Sequence, residues 1–129
     1  MYNSGLAAKA YATSNRETAS GKQIELKVFS SITARIAAAD TDTVGGFAEL
    51  AEAMHENVRL WNIIAVDVVD SDNQLSQDLR GMLLQLADFT SRHTMKVLRG
   101  EASRDVLVDI NKAMIGGLSG IVPDAEEAA

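Results

Sequence analysis

Cysteine is absent from the 129 residues of the chain, and with it go disulfide scaffolds, thiol nucleophiles and zinc–thiolate sites. Proline occurs once, at Pro123, and no series of short alternating segments punctuated by turns is present, which argues against a sheet protein. Aromatic residues make up only 5% of the chain and form no stacking platform for bases. Long apolar runs are missing as well: Ile63 to Val66 is broken by Asp67, far short of the roughly 20 residues that cross a bilayer, so membrane insertion is not expected. Lys9 interrupts the apolar residues of the N-terminus and no basic cluster precedes them, which makes Met1 to Ser14 a poor signal peptide. Export by the general secretory route is therefore not expected, and the missing thiols fit a reducing compartment without establishing one.

What is present has the balance of one globular domain, 47% hydrophobic and 23% charged, long enough to bury a core without staples. Twelve basic against eighteen acidic side chains give a net charge of −6, which repels a polyanion such as RNA or DNA at long range. The charge is uneven. Residues 1–35 carry five basic and two acidic groups, residues 36–79 one and nine, residues 80–112 six and four, and the tail three acids. None of these stretches is a run of like charge, so direct nucleic-acid binding is not expected.

The apolar spacing is helical. Phe47, Leu50, Ala51, Met54, Val58, Trp61, Ile64 or Ala65, and Val68 recur at steps of three and four, the mark of one amphipathic helix over 44–69. Its Ile63-Ile64-Ala65-Val66 stretch is locally β-branched but stays in phase. Asp70 to Gln74 gathers turn formers. Ser76 caps a helix over 76–99 with Leu79, Met82, Leu83, Leu86, Phe89 or Thr90, His93 and Val97 inward and Gly100 at its end. Ser103 caps another over 103–118, on Val106, Leu107, Ile110, Met114 and Leu118, until Gly116, Gly117 and Gly120 dissolve the pattern. Upstream, Ile24, Val28, Ile32 and Ile36, broadened by Leu26 and Phe29, give a helix over 17–39, after which Asp40 to Asp42 turns the chain and Thr43 caps the 44–69 helix. Tyr2, Leu6, Ala10 and Tyr11 give a short mobile helix within 1–14. The expectation is a single all-α, bundle-like domain over 1–129: four longer helices, a short N-terminal one, and a disordered acidic tail at 122–129. Leu83, Leu86, Ile110, Val58 and Trp61 should share one core.

Candidate chemistry fails on inspection. His55-Glu56 opens like a zinc-protease motif, but Arg59 stands where the second histidine would bind. His93, on the apolar side of its helix, reads as a core histidine with one hydrogen-bond partner. Asp70-x-Asp72-x-Gln74 opens like a calcium loop, yet Leu75 replaces the turn glycine and Gly81 the closing glutamate. Gly116-Gly117-Leu118-Ser119-Gly120 lacks the Gly-Lys-Ser/Thr ending of a phosphate loop and follows a helix instead of preceding one. No Gly-x-Ser-x-Gly nucleophile elbow occurs. No catalytic residue, metal or cofactor is expected.

Taken in order, Arg59-Leu60-Trp61, Asp72-Asn73-x-Leu75, Leu79-Arg80, Leu83, Leu86, Phe89, Arg92-x-Thr94, Asp109-Ile110-Asn111 and Gly116-Gly117-Leu118 form a pattern that resembles the FlaF family of flagellar biosynthesis regulators. Met1-Tyr2 and Arg16-Glu17 agree, so the resemblance covers nearly the whole length. The chain departs from the family in having Asn15 and Ser71 where prolines are frequent, and in its Gly45-Gly46 pair and acidic tail. The resemblance implies an all-helical, cytoplasmic, non-enzymatic protein that acts on flagellin, the filament subunit, as a secretion chaperone coupling synthesis to export, alongside FlbT, a regulator of flagellin messenger RNA. The runner-up is a post-transcriptional regulator that contacts RNA or FlbT and grips flagellin little; the charge favours the chaperone. A structural part of the export machinery is a third reading.

A partner helix binds by laying apolar anchors into an apolar groove, so flagellin contact calls for apolar side chains that the core does not need. Tyr2, Leu6 and Tyr11 on the short first helix, and Leu26, Phe29 and Ile36 on a second edge of the next, are the candidates. The polar residues that carry the resemblance, Arg59, Asn73, Arg80, Arg92, Asp109 and Asn111, are expected to cap loops and pair charges between helices.

Overall fold

The computed structural model describes residues 26–70 and 75–118. Four helices occupy them: α1 (Leu26–Ala38), α2 (Val44–Val69), α3 (Gln77–Leu98) and α4 (Asp105–Leu118), and no strand occurs among the described residues. The expected short first helix, the start of the 17–39 helix, most of the Asp70–Gln74 turn and the acidic tail lie outside the described residues.

The helix ends follow local chemistry. Thr43 Oγ1 accepts the Gly46 N–H at 2.9 Å and opens α2, and Ser76 Oγ accepts the Leu79 N–H at 3.2 Å and opens α3; each satisfies a backbone donor that the first turn leaves unpaired. Gly46 is also where the Asp40 carbonyl crosses the helix start, so close that a Cβ would lie 1.7 Å from that oxygen. Gly100, at φ 75°, ends α3, with Gly100 N–H donating to Val97 and Glu101 N–H to Lys96, the paired bonds of a Schellman stop.

α4 starts two residues later than the serine cap predicts. Ser103 Oγ accepts the Asp105 N–H at 3.1 Å, and the Arg104 carbonyl takes the Leu107 and Val108 donors, so Arg104 occupies the cap. Its guanidinium donates to the Ile36 and Ala39 carbonyls at 3.1 and 2.7 Å. A side chain more than sixty residues away in sequence thus satisfies the orphan carbonyls at the end of α1.

α1 packs on both α2 and α4, α2 packs on α1 and α3, and α3 and α4 touch only sparingly. The edge-on rings of Phe29 and Trp61, centroids 6.2 Å apart, join α1 to α2, and Ile36, Met54, Ile64, Leu83, Leu86, Leu107 and Met114 close the core around them. Of the five residues expected there, Leu83, Leu86, Ile110 and Trp61 are buried, whereas Val58 is half-buried. With α1 and α3 on its two sides, α2 turns Ala53, Asn57 and Leu60 inward, which rotates the buried stripe away from Val58 and leaves Phe47 exposed. Val28 and Val106 are likewise exposed at the edges of their helices.

A polar node lies inside this core. Asn111 Oδ1 accepts the Trp61 indole N–H at 3.0 Å, while its amide nitrogen donates to Asn57 Oδ1 at 2.8 Å and Thr33 Oγ1 at 3.1 Å. The backbones of α2 and α4 do not come together; Trp61, Asn57 and Asn111 bridge them. Thr90 Oγ1, also buried, has no hydrogen-bond partner among the described residues. A buried hydroxyl without a partner opposes folding by about 1 kcal/mol or more, so Thr90→Val, which keeps the shape and removes the hydroxyl, should leave the urea midpoint unchanged or raise it. A loss above about 1 kcal/mol would show that the hydroxyl is bonded in solution.

Candidate interaction surface

Over the last two turns of α2, from Ile63 to Val69, Asp67 is the one polar residue. Ile64 and Val68 enter the core, but Ile63, Val66 and Val69 point outward, 44, 66 and 60% exposed. Residues three apart on a helix are surface neighbours, each step turning about 60° around the axis, so these side chains form one oblique strip that rises about 9 Å while turning through about 120°. Val28 extends it onto α1. Arg35 pairs with Glu56 across the α1–α2 seam; Val28 is seven residues before Arg35 and Ile63 seven after Glu56, and seven residues bring a helix back to the same side within about 20°. Since α1 and α2 run antiparallel, Val28 and Ile63 flank the same seam two turns further on, and each is 44% exposed.

The seam changes character along its length. At the Arg35 end it is ionic: the guanidinium grips Glu56 with two bonds of 3.0 and 2.8 Å and lies 3.7 Å from Glu52. A cavity of about 360 Å³ beside it is lined by Arg35, Ala38, Ala39, Glu49 and Glu52, and two carboxylates against one engaged guanidinium make it unsuited to an anion. The hydrogen bond from Arg35 holds the Glu56 carboxyl below the ordinary glutamate range, against the opposing effect of desolvation and with added help from the charges of Arg35, Arg59 and His55. Because the folded value is depressed, the stabilisation is complete above the unfolded glutamate value and fades as pH falls through the folded one. Glu56→Gln should therefore lower the melting temperature at neutral pH, with the gap from the parent chain shrinking between about pH 5 and pH 3. A gap that stays constant with pH would mean the pair contributes by packing alone.

The residues singled out from sequence fall into distinct places. Tyr2, Leu6, Tyr11 and Asn73 lie outside the described residues. Leu26 is partly exposed at the start of α1, as a contact residue must be, but Phe29 and Ile36 are 0% exposed. Their helix is clasped on two sides, by α2 and α4, and this uses up the edge that the spacing left spare. Asn111 is structural, as a buried bridge and not as a cap. Arg80 Nε donates to the Leu75 carbonyl at 3.2 Å at the head of α3, and Arg92 pairs with Asp88 one turn back. Arg59 and Asp109 are exposed. His93 Nε2 donates to the Ser103 carbonyl at 2.7 Å with its ring stacked on Phe89, so it fastens the α3–α4 link. Among the described residues no cluster of His, Asp and Glu is arranged to hold a metal ion, and no helix is long and apolar enough to cross a membrane.

A family model described as flagellar protein FlaF matches residues 7–118. The chain belongs to the FlaF family. No curated protein and no solved structure matches it. The matched span contains all four helices of this FlaF chain, with the polar node, the Arg104 clamp and the α2 strip. Its Gly45-Gly46 pair is half explained by the fold, since Gly46 makes way for the Asp40 carbonyl whereas Gly45 faces open space. Sequence reasoning missed Ile63, Val66 and Val69 as surface residues. The signal was there: one buried stripe through 63–69 needs only Ile64 and Val68, and the three apolar residues left over share a spacing of their own.

Proposed function

We propose that this FlaF-family chain binds flagellin in the cytoplasm as a secretion chaperone and couples flagellin synthesis to its export, acting by binding and not by catalysis, without a cofactor. The observation that carries this reading is the exposed apolar strip of Ile63, Val66 and Val69. Unassembled flagellin presents amphipathic terminal segments, and an apolar strip on a rigid helix is the surface on which such a segment docks. Leu26 and Val28, exposed at the start of α1, supply further apolar area nearby. The net charge of −6 disfavours RNA as the primary partner, and FlbT remains a partner for the translational side of the coupling.

Co-purification tests the reading. Tagged chain should recover unassembled flagellin in a stoichiometric complex that survives nuclease, and Val66→Asp should weaken it by tenfold or more, about 1.4 kcal/mol, with little dependence on salt. Recovery that requires intact RNA, or of FlbT without flagellin, would overturn it in favour of post-transcriptional regulation.

A further inference from the structure

We propose that the outer seam of α2 reads the order of chemistry along the helix that docks on it: apolar side chains against Ile63 and Val66, a carboxylate opposite Arg59 about two turns away, and a lysine or arginine opposite Glu49 and Glu52 about two turns further on. This deepens the proposed function, and rests on it only for flagellin being the source of that helix.

The first support is spacing. Glu49, Glu52, Glu56, Arg59, Ile63 and Val66 follow one another at steps of three and four, the alternation by which one helix presents a seam to another. Glu52, Arg59 and Val66, each seven residues from the next, lie on one line that drifts only about 20° and rises about 10 Å per step. Glu49, Glu56 and Ile63 form a second line beside it. Glu56, held by Arg35, is half-buried, and the other five are exposed. α1 and α3 pack on the sides of α2 that bury Ala53, Asn57, Leu60 and Ile64, so among the described residues no helix covers the seam.

Charge complementarity is the second. At one end three carboxylates, Glu49, Glu52 and Glu56, gather around the single guanidinium of Arg35, so negative charge is in excess beside the cavity. A lysine or arginine can lay its apolar stem along such a cavity and leave its charged head on the carboxylates. In the middle, Arg59 is exposed and forms no ion pair among the described residues. The other end is apolar, with Val69 prolonging it.

Three chemistries in sequence along one seam define a register. A partner that slides by two turns sets its base against Arg59 or a charge against the valines. Apolar burial supplies the affinity, because exposed ion pairs add little, and the charges act by penalising the wrong register. A second copy of α2 is a poor match, since laid parallel it sets acids against acids, and antiparallel about the middle of the seam it sets them against Ile63 and Val66.

Two fluorescently labelled helical peptides test the order. The first carries leucines at one end of a face, a glutamate two turns on and a lysine two turns beyond; the second is identical except that the glutamate and lysine are exchanged, so composition and net charge are the same. Each is made in both chain directions. In anisotropy titrations with the full chain at low salt, the first should bind about tenfold tighter than the second in one of the directions, with the margin narrowing as salt is raised. The chain carrying both Glu52→Lys and Arg59→Glu keeps the parent's net charge and changes only exposed side chains; it should prefer the second peptide. Equal binding of the two peptides, a preference that the double substitution leaves in place, or a margin indifferent to salt would overturn the proposal. Failure to bind either peptide, in a chain that recovers flagellin, would overturn it and leave the chaperone reading standing. A preference that inverts as expected, in a chain that recovers no flagellin, would overturn the chaperone reading alone.

Discussion

Asn111→Ala should destabilise the chain by about 3 to 5 kcal/mol, from two or more buried groups losing their partners at about 1 to 3 kcal/mol each. The substitution strips the Trp61 indole N–H of its acceptor and Asn57 Oδ1 of its donor, both within the closed core. Thr33 Oγ1 keeps its bond to the Phe29 carbonyl and loses less. A buried polar group without a partner forfeits its hydration and gains nothing in exchange, so the loss exceeds the net worth of the bonds themselves. Urea unfolding gives the size, and a second substitution tests the mechanism. Trp61→Phe removes the orphaned N–H, so in the Asn111→Ala background it should do less harm than in the parent chain, a coupling of about 1 kcal/mol or more. Strict additivity, or a loss below about 1 kcal/mol from Asn111→Ala alone, would show that the node is not the joint between α2 and α4.

The second large effect is at Phe29. The helical spacing of α1 makes this ring a candidate contact for flagellin, but it is completely buried against Trp61. Phe29→Ala should therefore lower stability by about 3 to 5 kcal/mol, and Phe29→Asp should abolish cooperative unfolding, because a carboxylate in that site has no partner. Val66→Asp, on the strip, should change stability by no more than about 0.5 kcal/mol while affecting flagellin recovery. The contrast is readable in one thermal-melt series. A Phe29→Ala chain that melts like the parent would return Phe29 to the surface and take the α1–α2 packing with it.

The particular residues show why some of this was legible in sequence and some was not. Thr43, Ser76 and Gly100 announce helix ends through chemistry confined to a few neighbouring residues, and α2 and α3 begin and end within a residue of where those signals put them. Periodicity also places Trp61, Leu83 and Leu86 inside, since each sits at the centre of its stripe. What periodicity cannot supply is how many neighbours a helix has. α1 has two, so Phe29 and Ile36 at the margins of its stripe are as buried as Ile32 at its centre. α2 has its neighbours on the opposite sides of a tilted stripe, so Val58 slips to the edge and Asn57, a polar residue at a position that reads as surface, goes to the centre. The Arg104 clamp was equally hidden, because its acceptors are backbone carbonyls at Ile36 and Ala39, which have no sequence signature. The strip was half visible, as a surplus of apolar residues in one stretch.

The pairing of α1 with α4 also bears on the order of synthesis. From Leu26 to Asp105 the ribosome must add some eighty residues, about 4 to 16 seconds at roughly 5 to 20 residues per second. Through that interval α1 has α2 to lie against but lacks the cover of Leu107, Asn111 and Met114, and its last carbonyls await a guanidinium not yet made. The nascent chain is thus open to proteases and to premature association until α4 has cleared the exit tunnel, and a premature stop anywhere before residue 105 makes that exposure permanent.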